Sequence, residues 1–287
     1  MTEAERKQII ALVQREVVPA IGCTEPIAVA LCVAKATETL GAKPEKIDVL
    51  LSANILKNAM GVGIPGTGMI GLPIAIALGA LIGKSEYQLE VLKDCNPAAV
   101  EEGKRFIGEK RIDISLKKNI TEKLYIEVCC KSGGNKATAI IAGGHTTFIY
   151  IARNGDVLLN KQSAGCGEEE AQVAGLTLRK VYDFAMNAPL DEIRFILETA
   201  RLNKAAAERS FDGNYGHGLG RMLRGNYEHK ILGDSVFSHI LSYTSGACDA
   251  RMAGAMIPVM SNSGSGNQGI SATLPVLVYA EENGKSE

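Results

Sequence analysis

The chain has 287 residues, a net charge of −1, 46% hydrophobic and 22% charged residues, and no tryptophan. Such a chain has ample apolar material for one large domain or two smaller ones. Its balanced charge argues against nucleic acid or an anionic membrane surface, which call for clustered Lys and Arg, and 5% aromatic residues argue against base-stacking platforms.

The N-terminus, MTEAERKQII, lacks the basic start and apolar run of a signal peptide. Seven cysteines are present, with no C-x-x-C pair, so free thiols in a reducing cytoplasm are expected. Residues 2–18 have helical spacing, with Ile9, Ile10, Val13 and Val17 on one face. Pro19 and Gly22 break that helix. A second is expected from Thr24, its cap, to about Leu40, with Pro26 in its first turn and Gly41 as its stop.

Lys46–Ser52 reads as a strand and residues 54–61 as a short helix running into a glycine-rich turn. No charge occurs between Asn58 and Gly83, a length that could span a bilayer. Pro65, Pro73 and the glycines break its first half, so a buried core helix after Leu72 is the expectation rather than a membrane helix. Residues 72–108 read as mostly helical, with breaks near Gly83 and Pro97. IDISL, LYIEVCC, KATAIIAGG, TFIYIA and DVLLN then read as strands, with hairpin signals at Gly133-Gly134 and Asn154-Gly155. From Glu168 the pattern is helical again, with breaks near Pro189, residues 213–220, Gly233 and Pro258. The expected fold is α+β: a helical core from residues 1–42 and 163–287, with an α/β insert over 43–162 carrying a small, mostly antiparallel sheet.

Three places stand out for chemistry. Cys23 precedes a helix start, where unpaired N–H groups and the helix dipole favour a thiolate able to act as base, nucleophile or metal ligand. Glu25 is a less specific neighbour, as acids commonly occupy first turns. The run MSNSGSGNQG (260–269) offers side-chain donors and glycines that let backbone approach a ligand, suiting a carboxylate or phosphate; it lacks the ending of a P-loop. The apolar segments flanking it favour a buried binding loop over a linker. A third place, Lys57 and Asn58 before the Gly/Pro-rich turn, could hold a substrate carboxylate or be a solvated helix face.

The remaining groups have simpler readings. His145 reads as a satisfied structural histidine and His217 as part of a turn, and His229 and His239 lack metal-ligand spacing. Glu168, Glu169 and Glu170 resemble an acidic first turn. Cys32, Cys95, Cys129 and Cys130 read as small buried residues. Cys248, with Asp249 and Arg251 beside it, reads as helix packing, with a buried ion pair as the other option.

Taken together, GCTEP at 22–26, KNAMGVGIPGTG at 57–68, GGHT at 143–146 and SGSGNQG at 263–269 resemble the L-cysteine desulfidase group, related to the iron–sulfur L-serine dehydratase alpha chain. The resemblance runs to about Ala280. It implies a β-eliminating lyase that converts L-cysteine to pyruvate, ammonia and sulfide, or dehydrates L-serine. It implies a [4Fe–4S] cluster and no pyridoxal phosphate. Cys23 would be the base. Ser263, Gly264, Ser265, Gly266 and Asn267 would grip the substrate carboxylate, with Lys57 and Asn58 positioning it. Members of this group continue past Glu287 and carry their cluster-ligating cysteines there. Cys166 and Cys248 do not match those positions, so no metal ligand is identified in this chain. A fragment, or a protein completed by a second chain, is therefore expected, and apolar surface left uncovered would favour homo-oligomers. The implied partner is a small amino acid. The alternative is a non-catalytic protein that binds an amino-acid carboxylate, and a cofactor-free thiol enzyme ranks last because no His or Asp stands at dyad spacing.

Overall fold

The computed structural model describes residues 1–161, 175–224 and 232–286. Helix α1 (Glu3–Glu16) opens with a capping box: Glu5 N–H donates to Thr2 Oγ1 at 3.2 Å, and Thr2 N–H donates to Glu5 Oε2 at 2.9 Å. Strand β1 (Pro19–Ile21) leads to α2 (Thr24–Leu40), which is apolar on almost every side and buried throughout Ile27–Ala34. Gly41 ends it at φ 75°, its N–H donating to Thr37 O at 3.0 Å. Next come β2 (Lys46–Leu51), α3 (Ala53–Ala59), α4 (Leu72–Leu81), α5 (Pro97–Gly108) and strands β3 (Ile112–Leu116), β4 (Tyr125–Ser132), β5 (Asn135–Ala142), β6 (Phe148–Arg153) and β7 (Asp156–Asn160).

These six strands form one sheet in the order β3-β2-β4-β5-β6-β7, antiparallel except for the β2–β3 pair. Tight hairpins join β4 to β5 and β6 to β7. Each needs positive φ at both central residues, which Gly133-Gly134 and Asn154-Gly155 supply (51° and 79°, 52° and 99°). The fold is thus the α+β arrangement with a mostly antiparallel sheet that the sequence predicts.

The C-terminal part comprises α6 (Leu178–Asn187), α7 (Leu190–Ile193), α8 (Leu197–Asp212), α9 (Leu219–Met222), α10 (Val236–Met252), β8 (Pro258–Met260) and α11 (Gly266–Glu282). Ala206, Ala207, Ala247, Val259, Ile270 and Leu274 make its core. A larger core joins α2 and α4 to the inner face of the sheet. Helix α2, which the sequence groups with the terminal helices, packs here against β4 and β5. Leu178, Tyr182, Met186 and Leu190 stay exposed on α6 and α7. Among the described residues no helix is long and apolar enough to cross a membrane; the uncharged stretch holds the end of α3, the glycine-rich turn and the buried α4.

Two connections bring the parts together. Strands β1 and β8 pair antiparallel, Pro19 opposite Met260 and Ile21 opposite Pro258. The sequence marks both prolines as helix breaks and predicts neither strand. The glycine-rich turn before α4 docks on the end of α10, with Gly63 N–H donating to Met252 O at 3.0 Å and Gly66 N–H to Gly254 O at 3.2 Å.

The α2–α4 contact depends on a missing side chain. A Cβ on Gly79 would lie 2.6 Å from Ala30 O and 3.0 Å from its Cα. Gly79→Ala is expected to lower stability by about 1–3 kcal/mol despite its better helix propensity, because neither backbone can yield. Urea denaturation checks this, and an unchanged or higher midpoint would contradict the close contact.

Candidate functional site

Cys23 is the N-cap of α2, one residue earlier than the cap the sequence predicts. Its thiol is 6% exposed and donates to Glu25 Oε2 at 3.0 Å. Glu25 also accepts from Thr24 Oγ1 at 3.2 Å and, through Oε1, from Asn58 Nδ2 at 3.2 Å, so the end of α3 braces the start of α2. Burial, followed by the charge of Glu25, pushes the Cys23 thiol up to about 11, against an opposing pull from Arg251. This reverses the expectation from helix position. The dipole favours a thiolate, but desolvation and a carboxylate at hydrogen-bond distance outweigh it, and the thiol is protonated at neutral pH. Burial acts to raise Glu25, but the Cys23 hydrogen bond, its own N–H, His145 and Asn58 outweigh it and hold the carboxyl below its ordinary value.

The opposite wall is the end of α10 and the loop into α11. Arg251 is 4% exposed. Its Nη1 donates to Asn267 Oδ1 at 2.9 Å and lies 3.3 Å from Met252 Sδ, while its Nε has no hydrogen-bond partner. The buried ion pair with Asp249 that the sequence allows does not form. Asp249 instead accepts from the N–H groups of His217 at 3.2 Å and Leu219 at 2.9 Å. Ser265 caps α11, its Oγ accepting from Gln268 N–H at 3.3 Å.

Two glycines of the loop lie flat against side chains of this wall. A Cβ on Gly264 would be 2.4 Å from His145 Nδ1, and one on Gly266 would be 2.2 Å from Arg251 Nε. His145 comes from the loop between β5 and β6. Burial holds its imidazole below the ordinary value, Arg251 adding to this and Glu25 opposing it, so the ring is neutral at physiological pH.

The structure therefore gathers Cys23, Asn58, Gly264, Gly266 and Asn267 of the residues singled out from sequence. Lys57 is exposed on α3 while its neighbour Asn58 turns inward. Ser263 is exposed, and Ser265 is committed to its cap. Glu25, His145 and Arg251 received ordinary structural readings from sequence and prove to line the site. Glu25 and His145 sit in the GCTEP and GGHT motifs, which could have marked them; nothing local marks Arg251. His239 lies elsewhere, between Asp234 and Glu282 at 2.6 Å each. Cys166, Glu168, Glu169, Glu170 and His229 fall outside the described residues.

Among the described residues no three His, Cys, Asp or Glu side chains converge as a metal ion would require. Cys23, Cys32, Cys95, Cys129, Cys130 and Cys248 are free thiols. Burial pushes Cys130 up to about 12 and Cys32 well above the usual thiol range. A [4Fe–4S] cluster needs several converging thiolates, and these side chains do not fit one.

Comparison with known proteins gives the chain a family whose description suggests a lyase-like role in amino-acid catabolism. Residues 86–287 match the family model described as serine dehydratase alpha chain, and the chain belongs to that family. It is 83% identical over its whole length to a UPF0597 protein of Bacteroides fragilis and 78% identical to one of Bacteroides thetaiotaomicron, covering 67% of each. A UPF0597 protein of Chromobacterium violaceum is 46% identical over 96% of this chain and 64% of the relative. The chain thus spans about two thirds of the length of these relatives. No solved structure matches it.

The Cys23–Glu25 contact makes a direct prediction about thiol reactivity. At pH 8, iodoacetamide labelling of Cys23, followed by peptide mass mapping, is expected to be slow and to rise with pH toward 11. Glu25→Gln removes the neighbouring charge that raises the thiol. It is expected to speed labelling at pH 8 by about tenfold for each unit the thiol falls. Equal or slower labelling in the variant would show that Glu25 does not hold the proton on sulfur.

Proposed function

We propose that this chain carries the substrate-binding and proton-transfer machinery of a β-eliminating lyase that converts L-cysteine to pyruvate, ammonia and sulfide, with L-serine dehydration as the related reaction. The observation that carries this reading is the buried Cys23 thiol, hydrogen-bonded at 3.0 Å to an ionised Glu25 and within electrostatic reach of Arg251, which packs against the glycine-rich loop at 263–267. Family membership supports lyase chemistry. The choice of cysteine over serine rests on the resemblance of the motifs to the desulfidase group.

In the proposed reaction the substrate carboxylate lies on the loop at 263–267 and its Cα faces Cys23. Glu25 accepts the thiol proton, and the thiolate then removes the proton from Cα. The electron pair left on Cα forms the Cα–Cβ double bond as the Cβ–S bond breaks, and hydrosulfide departs with the sulfur electrons. The resulting aminoacrylate takes a proton to give an imine, and water hydrolyses it to pyruvate and ammonia. Overall, L-cysteine and water yield pyruvate, ammonia and hydrogen sulfide. A Cα proton is a very weak acid, so a base with a high pKa is an advantage once formed. Asn58 fixes Glu25, and the neutral His145 lines the site with one N–H available as a donor.

The [4Fe–4S] cluster implied by the resemblance would have to be held by groups outside the described residues, and the steps above use this chain's side chains only. The proposed setting is a reducing cytoplasm.

The test uses the full-length Bacteroides fragilis relative, anaerobically reconstituted with iron and sulfide and assayed for pyruvate from L-cysteine and L-serine. Alanine at the position aligned with Cys23, and glutamine at that aligned with Glu25, are each expected to cut kcat by roughly a hundredfold or more while moving KM only a few-fold. A kcat within a few-fold of the parent in the Cys23 variant would remove the base assignment. Failure of the parent to release pyruvate from either amino acid would remove the lyase reading.

A further inference from the structure

We infer that Arg251 is the anchor for a free carboxylate in this site, so that the ligand class is a small monocarboxylate such as an α-amino or α-keto acid. The inference deepens the proposed function and rests on that reading for the identity of the substrate, but the binding it describes can be measured without turnover.

Among the described residues, Arg251 is a buried cation without an anion. It is 4% exposed, and among the described residues it forms no ion pair. Among the described residues its polar contacts are the amide oxygen of Asn267 and the sulfur of Met252, and Nε has no partner. Arginine cannot shed its proton under biological conditions. An uncompensated buried charge and an unsatisfied buried donor both cost stability, and the nearest acid in sequence, Asp249, binds the backbone of residues 217 and 219 instead. A charge left in this state is complementary to an anion that arrives from solution.

The surroundings specify where that anion lies. The guanidinium rests against Gly266, the first residue of the 17-residue helix α11. The N–H groups of Gly266 and Asn267 belong to the first turn and have no acceptor within their own helix. A carboxylate in front of this turn meets the guanidinium fork and the positive end of the helix together. Gly266 is the condition for this geometry, since any Cβ there would occupy the position of the guanidinium. The charge of Arg251 also bears on both Cys23 and His145, so the guanidinium is within electrostatic reach of the thiol and the imidazole.

The test is a thermal melt and calorimetric titration of this chain with pyruvate, L-cysteine and L-serine, set against L-cysteine methyl ester. The free acids are expected to bind and raise the melting temperature, and the ester to bind at least about tenfold more weakly. Arg251→Met is expected to melt no lower than the native chain without ligand, having lost an uncompensated charge, yet to lose the response to the acids. Arg251→Lys keeps the charge but not the fork and is expected to bind with intermediate strength. Should Arg251→Met not fold, Gly266→Ala tests the same point by displacing the guanidinium, again with loss of acid binding. In the full-length relative, the aligned lysine variant should raise KM about tenfold with kcat changed less. Acid binding that persists in Arg251→Met or Gly266→Ala, an ester that binds as tightly as its acid, or no binding of any acid to the native chain would each overturn the assignment. An active enzyme with an unaffected KM in the lysine variant would overturn it while leaving the lyase reading in place.

Discussion

The site depends on one piece of backbone pairing. The carbonyl of Val18 accepts from both the N–H of Ser261 at 2.9 Å and its hydroxyl at 2.7 Å, Ser263 N–H donates to Glu16 O at 3.0 Å, and β1 and β8 continue the ladder. The Val18–Ser261 bond alone joins residues 243 positions apart. They set the residue that caps α2 beside the loop that starts α11. Asn203, fully buried in α8, secures the far side by accepting from Met260 N–H at 2.8 Å and donating to Gly269 O at 3.3 Å. Without this ribbon the two hydrophobic cores would be held together by the docking of the glycine-rich turn on the end of α10, and the strand pairing beside Cys23 and the loop would be lost.

What the ribbon holds together is electrostatically unrelaxed. Glu25 stays ionised though largely buried, Cys23 is kept protonated beside it, and Arg251 has no counterion among the described residues. A core optimised for stability would pair Arg251 with Glu25 or replace both. Here the two charges are kept apart, Glu25 by Asn58 and Thr24, Arg251 by Asn267 and the flat face of Gly266. Departures of this kind from local stability rules are characteristic of functional sites.

Much of the fold was legible because its signals are local. Gly41 ends α2, the Gly-Gly and Asn-Gly pairs make their hairpins, and Pro97 opens α5, each through a backbone preference that needs no tertiary partner. Strands β1 and β8 were not legible, since three residues with a proline at one end carry no period. Glu25 and His145 were within reach, lying in motifs already singled out. Arg251 was not, because its meaning comes from a missing partner, and a missing partner exists only in three dimensions. The Cys23 thiol was placed correctly and its ionisation wrongly. Helix position is written in the sequence, whereas burial and the orientation of the Glu25 carboxylate are not.

The raised thiol is consistent with the proposed chemistry once the role of each neighbour is separated. A thiol near 11 is ionised to only about one part in ten thousand at neutral pH, so the site gives up population of the base. In return the thiolate, once formed, is a stronger base toward a weakly acidic carbon than an ordinary cysteine. Glu25 adds to that loss, since its charge is one cause of the raised thiol, but it gives the proton a direct path along an existing 3.0 Å hydrogen bond. Arg251 is the neighbour that pulls the thiol the other way, toward ionisation. A carboxylate bound to Arg251 would screen that pull and raise the basicity of the sulfur at the moment the substrate arrives. If a carboxylate binds there as proposed, the site would change in base strength without any movement of the fold, because the arriving charge would pair with Arg251, which has no counterion among the described residues.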